Sequence, residues 1–268
     1  MNKIKMASPL YILREACARD LMGVLERLAE LGFDGVEFLG FFGHSAQAVR
    51  ARMDALGMQA LGNHVPYREL TAGPEAVLDF HKEVGCEYLT VAELPEGDLM
   101  PVAETLAPIA RMAGERGIRL LFHNHARELY PEADGSRMLD RLMAAVPAEV
   151  MALEPDLGWM EIGGADPADY LLRYWDRCPV IHLKDYYAKG GPLTGIQGDI
   201  PERGDESRGC FEFRPVGYGI LNVPKLMPLC LACDPKWMVM DHDLAYDRDS
   251  YEDLKVSLDY TRALLGVL

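Results

Sequence analysis

The chain has 268 residues, 49% of them hydrophobic and 9% aromatic, which is enough apolar content for a folded core and excludes a disordered chain. Its 27 basic and 42 acidic residues give a net charge of −15, which disfavours binding to nucleic acids or anionic membranes. No apolar run approaches the ~20 residues of a transmembrane helix, and the first residues lack the apolar stretch of a signal peptide. We therefore expect a cytoplasmic protein without nucleic-acid or membrane partners.

Apolar runs and helical periodicities alternate along the chain. The predicted strands cover residues 3–8, 33–38, 58–64, 87–91, 118–122, 150–153, 180–185 and 237–240. The predicted helices cover residues 19–31, 45–56, 74–85, 98–116, 135–146, 166–177, 222–233 and 250–265. The long polar stretch 186–218 is predicted to be a functional loop.

Glycines that end helices mark the repeat of this pattern. Gly32, Gly57, Gly85 and Gly117 follow one another at intervals of 25, 28 and 32 residues, the length of one strand–helix unit. Eight such units predict a (β/α)8 TIM barrel, in a single domain spanning residues 1–268. An open doubly wound sheet would instead want a glycine-rich phosphate loop after the first strand, which is missing here.

The cysteines give little sign of a metal or redox site. Six cysteines are scattered, and only Cys230 and Cys233 have a Cys-x-x-Cys spacing, without the second pair that a zinc site needs. We expect buried, reduced thiols.

Polar residues concentrate at the predicted strand ends, where a barrel places its active site. Six of the seven histidines lie there, all except His81. The last four strands offer the candidate metal ligands His123 (or His125), Asp156, His182 and Asp241. Two imidazoles and two carboxylates suit one Mn²⁺, Co²⁺ or Zn²⁺ ion better than Ca²⁺. The alternative is that each residue is an ordinary polar group at the end of a strand.

Six short motifs follow one another along the chain: Asp34–Glu37, Asn63–Pro66, Leu120–His125, Leu153–Asp156, His182–Asp185 and Val216–Gly219. As an ordered set they resemble the xylose-isomerase-like sugar phosphate isomerase/epimerase superfamily, which includes ketose 3-epimerases, hydroxypyruvate isomerase and inosose dehydratase. The resemblance implies a metal held by Glu, Asp, His and Glu, and a homodimer or tetramer. Asp156 and His182 match the middle two ligands, whereas His123 and Asp241 stand where the glutamates would be.

The resemblance implies proton abstraction α to a carbonyl that the metal polarises. We expect a sugar or keto-polyol isomerase or epimerase; the alternatives are an inosose-type dehydratase and a non-catalytic sugar- or metal-binding relative. The catalytic candidates are His125, Glu154, Asp241 and Lys184, although Lys184 could instead form a salt bridge to Asp156 or Asp185. The candidate contacts to a small carbohydrate substrate are His64, His44, Arg214 and Trp159. The substrate, the metal and the outcome of the reaction stay open at this stage.

Overall fold

The computed structural model describes residues 4–95, 99–188 and 211–267. The strands are β1 (Lys5–Pro9), β2 (Gly35–Phe38), β3 (Gln59–His64), β4 (Tyr88–Val91), β5 (Arg119–His123), β6 (Ala152–Glu154), β7 (Val180–Tyr187), β8 (Glu212–Arg214) and β9 (Trp237–Asp241). The helices are α1 (Arg14–Leu31), α2 (Ala46–Leu56), α3 (Tyr67–Ala72), α4 (Pro74–Val84), α5 (Met100–Glu115), α6 (Met138–Ala145), α7 (Leu157–Ile162), α8 (Pro167–Arg173), α9 (Val223–Ala232) and α10 (Ser250–Val267), with a 3₁₀ turn at Arg127–Leu129.

The described residues divide into two compact units. The N-terminal unit comprises Ala7–His123 and Leu139–Glu154, and the C-terminal unit comprises the described parts of Met1–Met6, Asn124–Met138 and Pro155–Leu268. The single-domain organisation expected from the sequence stays a prediction.

The N-terminal unit contains a parallel run of strands in the order β6-β5-β4-β3-β2-β1. Left-handed glycines end its helices: Gly32, Gly57 and Gly85 have φ values of 97°, 66° and 91° and cap α1, α2 and α4. Ser45 begins α2 by accepting a hydrogen bond from the Ala48 N–H at 3.2 Å. These capping residues return the chain to the next strand, as the glycine spacing predicts.

The C-terminal unit pairs β9 with β7 in parallel, and β7 with β8 in antiparallel. Its core includes an aromatic cluster that β7, β8 and α7 share: Ala126, Trp159, Ile162, Tyr186, Ala188, Phe211 and Phe213. The predicted loop 186–218 is therefore wrong at both ends, because Tyr186 and Phe213 pack together in a sheet. The middle of that loop, residues 189–210, lies outside the described residues.

Helix α1 begins five residues before its predicted start because it consists of two segments. Asp20 interrupts it with non-helical angles (φ −157°, ψ 81°), and its side chain accepts the Gly23 N–H at 2.9 Å. Asp20 thus caps the second segment, which is the one that the apolar periodicity marks.

Five cysteines are described, and all are buried and free of disulfides, as expected: Cys17, Cys86, Cys178, Cys230 and Cys233. Cys210 lies outside the described residues. Within the part of the chain that the structure describes, no helix is long and apolar enough to cross a membrane.

Candidate active site

Strand β7 carries His182 and Lys184 on one face, because side chains two residues apart in a strand point the same way. Its pairing with β9 sets Lys184 beside Asp241, and a single bridge sets His182 beside Asp156. All four residues are buried. The backbone register therefore brings two carboxylates, an imidazole and an amine together within the C-terminal unit.

The Lys184 amine is surrounded by carboxylates. Its Nζ lies 3.2 Å from Asp156 Oδ2 and 3.1 Å from Asp241 Oδ2. It also donates a hydrogen bond of 2.8 Å to Asp243 Oδ1. Burial alone would lower the pKa of Lys184, but these three carboxylates outweigh it and raise the pKa above its ordinary value. The side chain is therefore a buried ammonium ion, and the salt bridge to Asp156 that the sequence allows is confirmed.

Aromatic rings cover the same ammonium. Its nitrogen lies 5.2 Å from the ring centroid of Trp159 and 5.5 Å from that of Phe213, within the range of cation–π attraction. The His125 ring lies 5.9 Å from Trp159. Gly158 allows this packing, because a Cβ there would lie 2.3 Å from the Lys184 carbonyl oxygen. A glycine before Trp159 is thus required for α7 to approach β7.

Three of the predicted metal ligands form a compact set. The candidate ligand atoms of Asp156, His182 and Asp241 all lie within 4.8 Å of one another. His182 Nδ1 is 3.0 Å from Asp241 Oδ2. Burial raises the pKa of Asp156 to about 7, while the Lys184 charge opposes that rise. Two buried carboxylates and one imidazole are ligands that a borderline divalent ion accepts, so the donor set fits such an ion.

Local hydrogen bonds fix the position of Asp156. Its Oδ1 accepts the Trp159 N–H at 2.9 Å and so caps α7. Its backbone N–H donates to Asn124 Oδ1 at 3.0 Å, and Asn124 Nδ2 donates to the Asp156 carbonyl at 3.3 Å. Asn124 is a positioning residue that the sequence did not single out.

Asp185, the neighbour of Lys184, has a structural role. Its carboxylate accepts four backbone N–H groups, those of Tyr186 (2.8 Å), Gly217 (2.9 Å), Gly219 (2.9 Å) and Leu221 (3.1 Å). A Cβ at Gly219 would lie 2.0 Å from Asp185 Oδ1, so only glycine fits there. The Gly-x-Gly motif therefore serves to wrap a turn around a buried carboxylate.

The N-terminal unit holds a second polar cluster, centred on Glu154 and His64. Glu154 Oε1 lies 3.2 Å from His64 Nε2 and 3.1 Å from His123 Nδ1. Its other oxygen accepts the Thr90 hydroxyl at 2.9 Å. The candidate ligand atoms of His64, His123 and Glu154 lie within 4.8 Å of one another. Residues at the ends of β3, β4, β5 and β6 thus converge in this unit.

Glu37 joins this cluster, although the sequence analysis does not assign it a role in the site. It is buried, and its Oε2 lies 3.2 Å from His64 Nε2. Burial would lower the pKa of His64, but the charges of Glu37 and Glu154 raise it to about 10. His64 is therefore an imidazolium ion at neutral pH. The sequence feature that could have identified Glu37 is its position near the carboxyl end of β2, two residues after Gly35.

Three other predicted site residues, Arg214, His44 and His125, make contacts of their own. The Arg214 guanidinium lies 2.9 Å from Glu212. His44 donates its backbone N–H to the Phe41 carbonyl at 3.0 Å. The His125 N–H donates to Glu128 at 2.7 Å. Their substrate and catalytic roles stay predictions.

The fold and the site together define an α/β protein with buried carboxylate and imidazole side chains at the carboxyl ends of parallel strands. The chain belongs to the xylose isomerase-like TIM barrel family, whose sequence profile matches residues 25–242. This confirms both the (β/α)8 barrel and the family resemblance that the sequence indicates.

Comparison with individual proteins shows both sequence and fold relatives. Inosose dehydratase of Geobacillus kaustophilus is 25% identical, over 60% of this chain and 61% of its own length, so the chain spans about three fifths of that relative. A sugar phosphate isomerase/epimerase from Parabacteroides distasonis superposes with a TM-score of 0.73 at 19% identity, covering 98% of this chain and 95% of that one. The IolI protein with a bound zinc atom gives a TM-score of 0.75 at 12% identity, covering 98% and 99%. At these identities the two structures establish the fold alone.

Proposed function

We propose that this chain is a metal-dependent enzyme that isomerises or epimerises a sugar or keto-polyol, beginning with proton abstraction next to a carbonyl group. The observation that carries the proposal is the buried set of Asp156, His182 and Asp241 around the Lys184 ammonium. A small carbohydrate is the proposed partner, and the family resemblance suggests a homodimer or tetramer.

Asp156, His182 and Asp241 would hold one divalent ion: Mn²⁺, Co²⁺ or Zn²⁺. When bound, such an ion supplies Lewis acidity that acidifies the C–H beside a substrate carbonyl. The IolI protein, which shares this fold, has a bound zinc atom, and this supports the proposal of a metal in this chain. The assignment of His123 as a fourth ligand, or of His125 in its place, stays a prediction.

The contacts within each unit indicate which side chains would act as metal ligands and which as bases. Asp241 Oδ2 already faces His182 Nδ1 and Lys184 Nζ, so Asp241 serves as a ligand better than as a base. Glu154 and His125 are then the proposed bases. Lys184 would donate a hydrogen bond to a substrate oxygen. Substrate contacts are proposed for His44, His64, Trp159 and Arg214.

A second candidate function is dehydration of an inosose-like substrate. The sequence relatives that are inosose dehydratases favour this second function. In it, the Lys184 ammonium would donate a hydrogen bond to the departing hydroxyl group, because its raised pKa keeps the proton on the lysine. Proton abstraction is common to both functions, and the fate of the product separates them. A non-catalytic binding protein would show neither step.

The test is incubation of metal-loaded protein with ketoses and inososes in D₂O. Deuterium at the carbon next to the carbonyl supports the shared first step. An epimer or an isomer identifies the first function, and an unsaturated or tautomerised dehydration product identifies the second. No exchange with any substrate, in protein that also binds no metal by elemental analysis, would overturn both.

A further inference from the structure

We infer that Lys184 is a built-in cation that competes with the divalent ion for Asp156 and Asp241, and that Asp243 retains the lysine when the ion is bound. This inference rests on the proposed function, because it concerns the same metal ligands. It adds a control on metal affinity that the ligand set alone does not imply.

The competition follows from shared atoms. Lys184 Nζ lies 3.2 Å from Asp156 Oδ2 and 3.1 Å from Asp241 Oδ2, and both carboxylates belong to the ligand set. Asp241 Oδ2 also faces His182 Nδ1 at 3.0 Å. An ammonium and a divalent ion bound to the same carboxylates repel each other, and this repulsion is large where water is excluded. Metal entry must therefore weaken the lysine contacts.

Asp243 gives the lysine an alternative partner. It makes the shortest of the three contacts, a hydrogen bond of 2.8 Å, from a position two residues beyond Asp241 and past the end of β9. The ammonium can keep this bond while Asp156 and Asp241 turn to an ion. When the ion is bound and all three carboxylates are ionised, the carboxylates and the ammonium together carry a charge of −2, which one divalent ion cancels.

The test is calorimetric titration of metal-free protein with CoCl₂. Lys184→Met removes the competing charge and leaves an apolar chain of similar length beside Trp159 and Phe213. Lys184→Met/Asp243→Asn removes the lysine together with its own carboxylate, which protects folding by avoiding an extra buried charge. Lys255→Met is the matched control, because it deletes an exposed lysine that pairs with Asp259 on α10.

We expect both Lys184 variants to bind Co²⁺ roughly tenfold or more tightly than the wild type. Asp243→Asn alone should weaken Co²⁺ binding, because it removes the alternative partner of the lysine. The same substitution should weaken Co²⁺ binding less in the Lys184→Met background. Lys255→Met should leave the affinity unchanged. If the wild type binds Co²⁺ and neither Lys184 variant binds it more tightly, this inference fails while the proposed function stands. If no form of the protein binds Co²⁺, the proposed metal site fails as well.

Discussion

Replacing Asp185 by asparagine should destabilise the fold without abolishing the metal site. In the native protein, Asp185 Oδ1 accepts the N–H groups of Tyr186 and Leu221, and Oδ2 accepts those of Gly217 and Gly219. An asparagine amide replaces one oxygen by an N–H₂ group that cannot accept. Either orientation of the amide therefore leaves two backbone donors facing another donor.

The size of the effect follows from that count. Each buried donor left without an acceptor costs about 1–3 kcal/mol, so two donors cost about 2–6 kcal/mol of unfolding free energy. With an unfolding entropy of about 2.1 cal/mol/K per residue, a loss of about 4 kcal/mol corresponds to a decrease of about 7 °C in Tm for this chain. Thermal unfolding followed by circular dichroism measures it.

The control is Asp259→Asn, which changes an exposed carboxylate paired with Lys255. It should alter stability by less than about 0.5 kcal/mol. Co²⁺ affinity, measured below the unfolding transition, should stay close to that of the wild type in Asp185→Asn. A Tm unchanged within about 1 °C, or loss of Co²⁺ binding with an unchanged Tm, would refute the structural role of Asp185.

Three further predictions concern the histidines. Burial lowers the pKa of His81 below its ordinary value, so the unfolded chain takes up a proton first as the pH falls below ~6.5. The unfolding free energy should therefore decrease in acid, and it should decrease less in His81→Gln. Urea titrations of both proteins at pH 7.5 and pH 5 measure the unfolding free energy. An equal decrease between the two pH values in the wild type and in His81→Gln would contradict the prediction. Glu37→Gln should lower the pKa of His64 from about 10 towards its ordinary value, as ring NMR titration of metal-free protein would show; an unchanged pKa would mean that Glu37 does not govern this charge. CoCl₂ at 100 times its Kd should raise the unfolding free energy by about 2.7 kcal/mol, and His182→Ala should lose this gain; an equal gain in the variant would exclude His182 as a ligand.

The sequence predicts the alternating framework well because the signals that set it are local. Gly57 ends α2 where a left-handed residue is required, and Ser45 begins the same helix with a side-chain cap. Helix α7 was missed because it is only six residues long and its cap is Asp156, which also reads as the polar end of a strand. Strand β8 was missed because Phe211 and Phe213 acquire their partners only when the chain returns to Tyr186.

The site residues also differ in how well the sequence predicts their roles. The backbone register that sets His182 beside Asp156 is a consequence of parallel strands, so ordered strand ends suffice to predict it. The roles of Asp185 and Glu37 depend on groups about 30 residues away in the sequence. Asp185 looks like part of the His-x-x-Asp motif, but its bonds to Gly217 and Gly219 give it a structural role. No single window of sequence contains that information.

If Asp156, His182 and Asp241 form a metal centre, proton abstraction from the substrate must depend on the metal that they bind. The most direct measurement is the rate of deuterium incorporation from D₂O into a ketose or inosose substrate, recorded by NMR while metal-free protein is titrated with CoCl₂. We expect the rate to rise to a plateau at one equivalent of Co²⁺ per chain, and we expect Asp156→Asn to lose both the bound metal and the exchange. Exchange that proceeds at the same rate without metal, or that persists in Asp156→Asn, would contradict it.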